Sequence, residues 1–190
     1  ERAWTGDASE RSFDHLLEHG MPEDEARTVL EHQQQLRAFV HYAHEPERLE
    51  PGETVAGWLV LHLPGHADGH LGLVRDDVLL AGDALLGGIT PNVGLWPGSE
   101  PDPLAAYLGS LARISEVAPS LALSGHGERI LDPSGRAREI TEHHADRLQR
   151  TRAALGREPR SGYEICRMLF PDALAPSLRR FALAETLAHL

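Results

Sequence analysis

The sequence predicts a mixed α/β protein of the α+β kind, with one small sheet between two helical segments. Short apolar runs in the middle of the chain are each closed by turn residues, which is typical of buried strands. Both ends of the chain instead place apolar residues three and four positions apart, the spacing of amphipathic helices. With 190 residues and 41% hydrophobic content, the chain is long enough to bury a core.

The N-terminal segment predicts two helices. The first covers residues 9–18 and ends at Gly20, and Pro22 opens the second. Together they form a helical insert at about residues 9–43. A Pro- and Glu-rich connector at residues 45–53 separates this insert from the strands.

The central segment predicts the strands. Residues 58–63 form a buried strand, and residues 71–74 and 78–82 pair as a hairpin around a charged turn. A Gly- and Pro-rich loop then leads into an amphipathic helix at residues 104–114. Residues 120–124 form a further strand that runs into a glycine-flanked loop.

The C-terminal segment predicts helices only, at about residues 136–155, 163–169 and 176–190. We therefore divide the chain into two parts. Residues 1–133 hold the sheet and the helical insert, and residues 134–190 form a helical domain.

The charge of the chain is strongly acidic and unevenly distributed. Eighteen arginines and no lysine stand against 29 acidic residues, which gives a formal net charge of −11. Residues 1–135 carry 8 arginines and 22 acids, a net −14, whereas residues 136–190 carry 10 arginines and 7 acids, a net +3. A general binder of phosphate backbones needs a basic face. Nucleic acid is therefore a disfavoured partner, although the basic end leaves it open.

The composition also disfavours membrane and secreted settings. No stretch approaches the roughly 18 consecutive apolar residues of a membrane span, and the polar N-terminus lacks a signal-peptide core. The single cysteine, Cys166, cannot form an internal disulfide, and its apolar neighbours predict a small buried hydrophobe. We expect a reducing, cytoplasmic setting.

Three loops that each follow a predicted strand carry candidate metal ligands, namely His66, Asp83 and His126. Each ligand has a glycine beside it, which lets the backbone turn sharply and approach a shared centre. Imidazole and carboxylate together suit zinc, iron or manganese. The absence of thiolate ligands excludes a structural zinc site of the cysteine type. The three residues together predict a metal site.

These three motifs resemble the later motifs of the metallo-β-lactamase superfamily, in its glyoxalase II-like (hydroxyacylglutathione hydrolase-like) branch. The resemblance implies that His66 binds a first metal and His126 a second. It implies that Asp83 bridges the two and orients the water between them. The cofactor implied is a pair of zinc ions, with iron or manganese as alternatives.

The resemblance extends on both sides of these motifs. Residues 89–92 resemble the active-site-edge loop of one bacterial subgroup, which makes Asn92 a candidate residue at the edge of the substrate site. Residues 134–190 are similar to the winged-helix domain often appended to that subgroup.

One signature of the family is missing. His-x-His-x-Asp-His supplies most ligands to the two metals in that family, but no His-x-His occurs anywhere in this sequence. In the family this motif lies upstream, in the first half of an αββα sandwich. The chain therefore resembles the second half of such a sandwich followed by an incomplete winged-helix-like domain. We expect a fragment of a longer protein.

The strands between residues 58 and 74 are apolar on both faces, so both faces of the sheet must be covered. The cover is expected to be the missing N-terminal half as a separate piece. A second copy, in a homodimer, is the less favoured alternative.

The function that the resemblance implies is hydrolysis of an ester-like carbonyl, with a small acyl compound or thioester as substrate and a metal-bridging hydroxide as nucleophile. Two protein ligands per metal fall short of the three that catalytic zinc normally has. We therefore expect the 190-residue chain alone to bind metal weakly and to be inactive. Two alternatives stay open, an RNA-acting phosphodiesterase of the same superfamily and a metal-free scaffold or interaction module.

We expect the remaining histidines to make structural contacts or to lie at the surface rather than to bind metal. His70 should hydrogen-bond the neighbouring loop rather than bind metal. His15 and His19 lie one helical turn apart, where we expect surface imidazoles. Of His143 and His144, at most one should face inward, and the resemblance implies that it packs between the domains.

Overall fold

Two helices open the part of the chain that this computed structural model describes, which comprises residues 6–37, 39–40 and 47–190. Helix α1 spans Gly6–Glu18 and helix α2 spans Glu23–Arg37. Three acidic residues in the first turn of α2 interact favourably with the positive end of its dipole. The end of the predicted helical insert, residues 41–43, lies outside the described residues.

A five-stranded sheet follows, with its strands in chain order: β1 (Thr54–Val55), β2 (Trp58–His62), β3 (Leu71–Arg75), β4 (Val78–Gly82) and β5 (Leu121–Ser124). Strands β1 to β4 pair antiparallel, and β5 pairs parallel with β4. The predicted strands and hairpin are confirmed, whereas the two-residue β1 was not predicted. Because two reversals separate β2 from β4, strands β2, β4 and β5 all run in the same direction.

Helix α3 (Pro103–Val117) makes the crossover that parallel pairing of β4 and β5 requires. The Asp102 side chain caps α3 by accepting a hydrogen bond from the backbone N–H three residues on, and a proline occupies the first turn. Asp132 and a following proline repeat this arrangement at the start of helix α4. Local sequence therefore decides where both helices begin.

Three helices form the C-terminal part: α4 (Pro133–Leu155), α5 (Gly162–Leu169) and α6 (Pro176–Ala188). The helices predicted there are confirmed. Residues 134–190 contain no strand, and the winged-helix character of this part stays a prediction. Among the helices in the described ranges, none is both long and apolar enough to cross a membrane.

Two apolar clusters hold these elements together. One face of the sheet packs against α3 and α4, around Leu79, Tyr107, Ile114 and Ile140. The second cluster joins α1 and α2 to α5 and α6, around Leu16, Val29, Cys166 and Leu183. The predicted burial of Cys166 is confirmed. The helical insert thus shares an apolar core with the C-terminal helices, and the boundary after residue 133 stays a prediction.

The other face of the sheet is apolar and only partly covered. Alternation along the strands places on it Leu73 of β3, Leu80 of β4 and Leu123 of β5, which are paired in register. Leu73 and Leu80 are half-buried, and Leu123 is 42% exposed. A sheet face of this composition favours contact with a further layer.

A buried histidine pair joins α4 to the end of α6. The His144 side chain is fully buried, and its Nδ1–H donates to Nε2 of His189 over 3.0 Å. The Nδ1–H of His189 donates in turn to the Glu185 carbonyl at 2.7 Å. One of the two adjacent histidines thus faces inward, as predicted, but its partner His189 carried no signal in the sequence. Burial, followed by the neighbouring His189, lowers the pKa of His144 to about 3.

The free energy of unfolding should therefore fall as the pH drops from 6.5 towards 3. In this range the unfolded chain binds a proton at residue 144 and the folded chain does not, which destabilises the fold by up to about 1.4 kcal/mol per pH unit. His144→Asn, which retains an N–H donor near Nδ1, should flatten the slope in urea unfolding measured at a series of pH values. The matched variant His143→Asn, at an exposed position, should keep the wild-type slope. Equal slopes in the two variants would contradict a buried neutral imidazole at residue 144.

Candidate metal centre

The three predicted ligands meet at one edge of the sheet. His66 lies in the loop after β2, Asp83 directly follows β4, and His126 lies two residues beyond β5. Since these strands run in the same direction, their carboxyl ends lie at the same edge. Residues from three separate loops thus become neighbours.

The Asp83 carboxylate lies between the two histidines. Its Oδ2 is 3.8 Å from Nε2 of His66, and its Oδ1 is 3.4 Å from Nε2 of His126. Two atoms that ligate one zinc ion at about 2.1 Å with a near-tetrahedral angle lie about 3.4 Å apart. Each carboxylate oxygen therefore faces one imidazole at a separation that suits a metal ion between them.

A backbone carbonyl orients His66. Its Nδ1–H donates to the Asn92 carbonyl over 2.8 Å, so the proton sits on Nδ1 and Nε2 keeps its lone pair on the side of Asp83. Histidines that bind metals commonly donate their other ring N–H to a carbonyl in this way, which fixes the tautomer and the orientation of the ring. The donor set of this edge thus fits a divalent metal.

His70 holds the Asp83 backbone instead of lying among the candidate ligands. Its Nε2 accepts a hydrogen bond from the Asp83 N–H at 3.1 Å. Burial, followed by the neighbouring His66, lowers the pKa of His70, so the ring is neutral and able to accept. This contact agrees with the expectation that His70 hydrogen-bonds the neighbouring loop.

At two positions in this region, neighbouring atoms lie so close to the backbone that only glycine fits. A Cβ at Gly125 would overlap Oδ1 of Asp83. Gly82 adopts φ +53°, and a Cβ there would lie 2.8 Å from Nε2 of His70. Larger side chains at either position would displace the carboxylate or its support.

A chain of polar contacts connects the centre to the C-terminal helices. The Asn92 side-chain amide donates to the Phe181 carbonyl at 3.3 Å and to Oε2 of Glu185 at 3.1 Å. Oε1 of Glu185 forms an ion pair of 3.0 Å with Arg147, and both side chains are nearly buried. Glu185 and Arg147 thus support the segment whose carbonyl orients His66.

These contacts of Asn92 do not test the sequence-based hypothesis. Its carbonyl faces His66 and its amide faces α6, so its position at the edge of a substrate site stays a prediction. Sequence reasoning missed Glu185 because 93 residues separate it from Asn92 and no local motif links them.

The centre is open to solvent on the side of His126. That side chain is 72% exposed, compared with 33% for His66 and 31% for Asp83. Next to His66 lies a shallow cavity of about 270 Å³ that Trp96 and Ser99 also line. A small molecule therefore has access to the edge where the three ligand side chains lie.

A sheet that presents a histidine, a carboxylate and a second histidine from loops at one edge forms a candidate metal centre in an α+β fold. The chain belongs to the metallo-beta-lactamase superfamily, whose family model matches residues 5–126. A second model, described as the metallo-beta-lactamase-like C-terminal domain, matches residues 148–190.

This chain is similar to several known proteins, over different lengths of sequence. A probable metallo-hydrolase of Bacillus subtilis is 31% identical over 144 residues, which are 73% of this chain and 45% of that protein. A hydroxyacylglutathione hydrolase of Alkalilimnicola ehrlichii is 38% identical over 72 residues, 38% of this chain and 27% of that protein. The crystal structure of a metallo-beta-lactamase family protein from Thermus thermophilus superposes with a TM-score of 0.84 at 40% identity, covering all of this chain and 60% of that one. The chain thus spans about half the length of the curated Bacillus relative.

Glu185→Gln should weaken metal binding at the Asp83 centre by about tenfold, a typical effect of losing an outer-shell partner. The substitution removes the charge that pairs with Arg147 and loosens Asn92, whose carbonyl orients His66. The measurement is a zinc titration of each variant against a chromophoric chelator. Zinc binding that persists in the Asp83→Asn variant is subtracted, so that only binding at the Asp83 centre is compared.

The matched control for this substitution is Glu139→Gln, which removes an exposed carboxylate paired with Arg136 at 2.9 Å. It should leave zinc affinity unchanged. Equal affinities in the two variants, with both folded by circular dichroism, would show that the contacts of Glu185 do not support the centre.

Proposed function

We propose that the protein carrying these residues is a metal-dependent hydrolase of ester-like acyl bonds, with a thioester as its substrate class. The observation that carries this proposal is the Asp83 carboxylate, whose two oxygens each face the Nε2 of a different histidine. The similarity to a hydroxyacylglutathione hydrolase supports the choice of a thioester.

The residues of this chain would hold and position a two-metal centre. When bound, the metals supply a water of lowered pKa and positive charge for a developing oxyanion. His66 and His126 would each hold one ion through Nε2, and Asp83 would offer one oxygen to each and orient the water. Zinc is the proposed ion, and iron or manganese are alternatives that imidazole and carboxylate also suit.

Three supports keep the carboxylate and the imidazole in place. The Asn92 carbonyl keeps the His66 proton on Nδ1, and His70 accepts the Asp83 N–H. Tyr107, buried in α3, donates its O–H to the Ala84 carbonyl at 3.0 Å, directly after the ligand. These contacts hold the atoms that would bind metal within a rigid frame.

We propose that a further part of the fold completes the centre. Among the described residues, each metal would have one histidine and the shared carboxylate, whereas catalytic zinc normally takes three protein ligands. The exposed His126 and the partly covered face with Leu73, Leu80 and Leu123 lie open to such an addition. Either a further half-sandwich or a second copy of the chain could provide this cover. The larger extent of the Thermus structure, of which this chain covers 60%, supports the half-sandwich rather than the second copy.

The charge of this region favours a small acyl substrate over RNA. Residues 1–135 carry a net charge of −14, and Asp68 contributes an exposed carboxylate to the cavity beside His66. A polyanion would be repelled there, since phosphate-backbone binding depends on neutralising basic groups. The cavity of about 270 Å³ instead suits a compact acyl group.

Asp83→Asn should reduce kcat for a hydroxyacyl thioester of glutathione by more than about 100-fold, because losses at outer-shell partners alone reach that size. The assay uses the zinc-loaded protein in which this chain is combined with the part of the fold that completes the centre. It measures the rate of thiol release. Asp76→Asn is the matched control, since Asp76 lies in the β3–β4 turn with φ +54°, a conformation that asparagine tolerates.

Two results of this assay would overturn the proposal. Faster, Asp83-dependent hydrolysis of a phosphodiester than of the thioester would assign the phosphodiesterase function. Failure of the protein both to retain metal and to hydrolyse either substrate would assign a metal-free scaffold.

A further inference from the structure

A second group of side chains of metal-ligating types lies at the C-terminal end of α1, outside the loops that form the centre at Asp83. His15, Glu18 and His19 each offer a ligand atom, and these atoms all lie within 4.8 Å of one another. The two histidines are one helical turn apart and so share a face of the helix. Their rings meet edge to face with centroids 4.5 Å apart.

For His15, the structure corrects the expectation of a surface imidazole. His15 is only partly exposed, and its Nε2 is buried with no hydrogen-bond partner among the described residues. Buried polar atoms nearly always have a partner, so an orphaned imidazole nitrogen beside a second imidazole and a carboxylate requires an explanation.

The loop that orients His66 also reaches His15. The Leu95 backbone hydrogen-bonds the His15 ring. Asn92, three residues earlier, holds His66 through its carbonyl. One loop segment therefore contacts both imidazoles, and the buried Nε2 of His15 stays without a partner among the described residues.

We propose that His15, Glu18 and His19 form a second binding site for a divalent metal ion of the zinc class. Two imidazoles and a carboxylate are a ligand set that zinc uses with a fourth position open to water. Glu18 is exposed and His19 partly so, which leaves room for that position on the solvent side.

The place of the site in the fold indicates that a bound ion would stabilise the contacts at the end of α1. The His19 carbonyl accepts a hydrogen bond of 2.9 Å from the Tyr163 N–H at the start of α5, and His15 is attached to the loop at Leu95. An ion at the end of α1 would hold this helix against both segments. The site exists only in the folded chain, so the ion binds the folded state and not the unfolded state. Zinc should therefore raise the melting temperature.

The experiment uses the 190-residue chain, without an affinity tag, in an Asp83→Asn background so that the first centre does not contribute. Titration with zinc against a chromophoric chelator, and with cobalt followed by its visible absorption, should each give one equivalent. Adding His19→Ala should lower the affinity by at least about tenfold, since loss of a ligand costs no less than loss of an outer-shell partner. Zinc should also raise the melting temperature of the Asp83→Asn protein and not that of the His19→Ala double variant.

Two further variants keep the test decisive. His32→Ala removes an exposed histidine from α2 and should leave binding unchanged. Glu18→Gln removes only the carboxylate charge and should weaken binding while the protein remains folded. The proposal is overturned if the Asp83→Asn protein binds no zinc, or if His19→Ala and His32→Ala bind it equally. The Asp83→Asn background makes this result independent of the proposed hydrolase function.

Discussion

The parallel pairing of β4 with β5 is the constraint on which the candidate centre depends. It brings the ends of the two strands together, where the Gly125 N–H donates to the Gly82 carbonyl over 2.8 Å. Asp83 and His126 follow these ends directly and so become neighbours. Parallel pairing also requires the crossover helix α3, which packs on the sheet and carries Tyr107. Burial raises the pKa of Tyr107, so the hydroxyl stays protonated and continues to donate to the loop after β4.

The segment from Asn92 to Leu95 is where the sheet and the C-terminal helices meet. Its first carbonyl orients His66. The backbone of its last residue hydrogen-bonds the His15 ring and donates its N–H to the Ala184 carbonyl at 3.0 Å. The Arg147–Glu185 ion pair supports the same segment from α4 and α6. Breaking one member of a nearly buried pair leaves an uncompensated charge, which is strongly destabilising. The helical part therefore acts on the geometry of the sheet edge.

Much of the fold was predictable because its signals are local. Apolar runs closed by Gly, Pro or Asp mark the strands and the hairpin, and the Asp-Pro pairs before α3 and α4 mark both helix starts. The candidate ligands were also visible, because each lies beside a glycine within a few residues of a strand end. The resemblance to a known family then supplied their expected roles, which spacing alone does not define.

What the sequence by itself determined are the elements, their order and the three loops that carry His66, Asp83 and His126. Only the tertiary structure decided which distant residues support them. His144 and His189 are 45 residues apart, and Asn92 and Glu185 are 93 apart, so no local periodicity records either contact. His15 also combines a predictable and an unpredictable feature. Its position one helical turn from His19 follows from the sequence, whereas the burial of its Nε2 does not. Burial depends on which loop packs against the helix, and that follows from the packing of the whole chain.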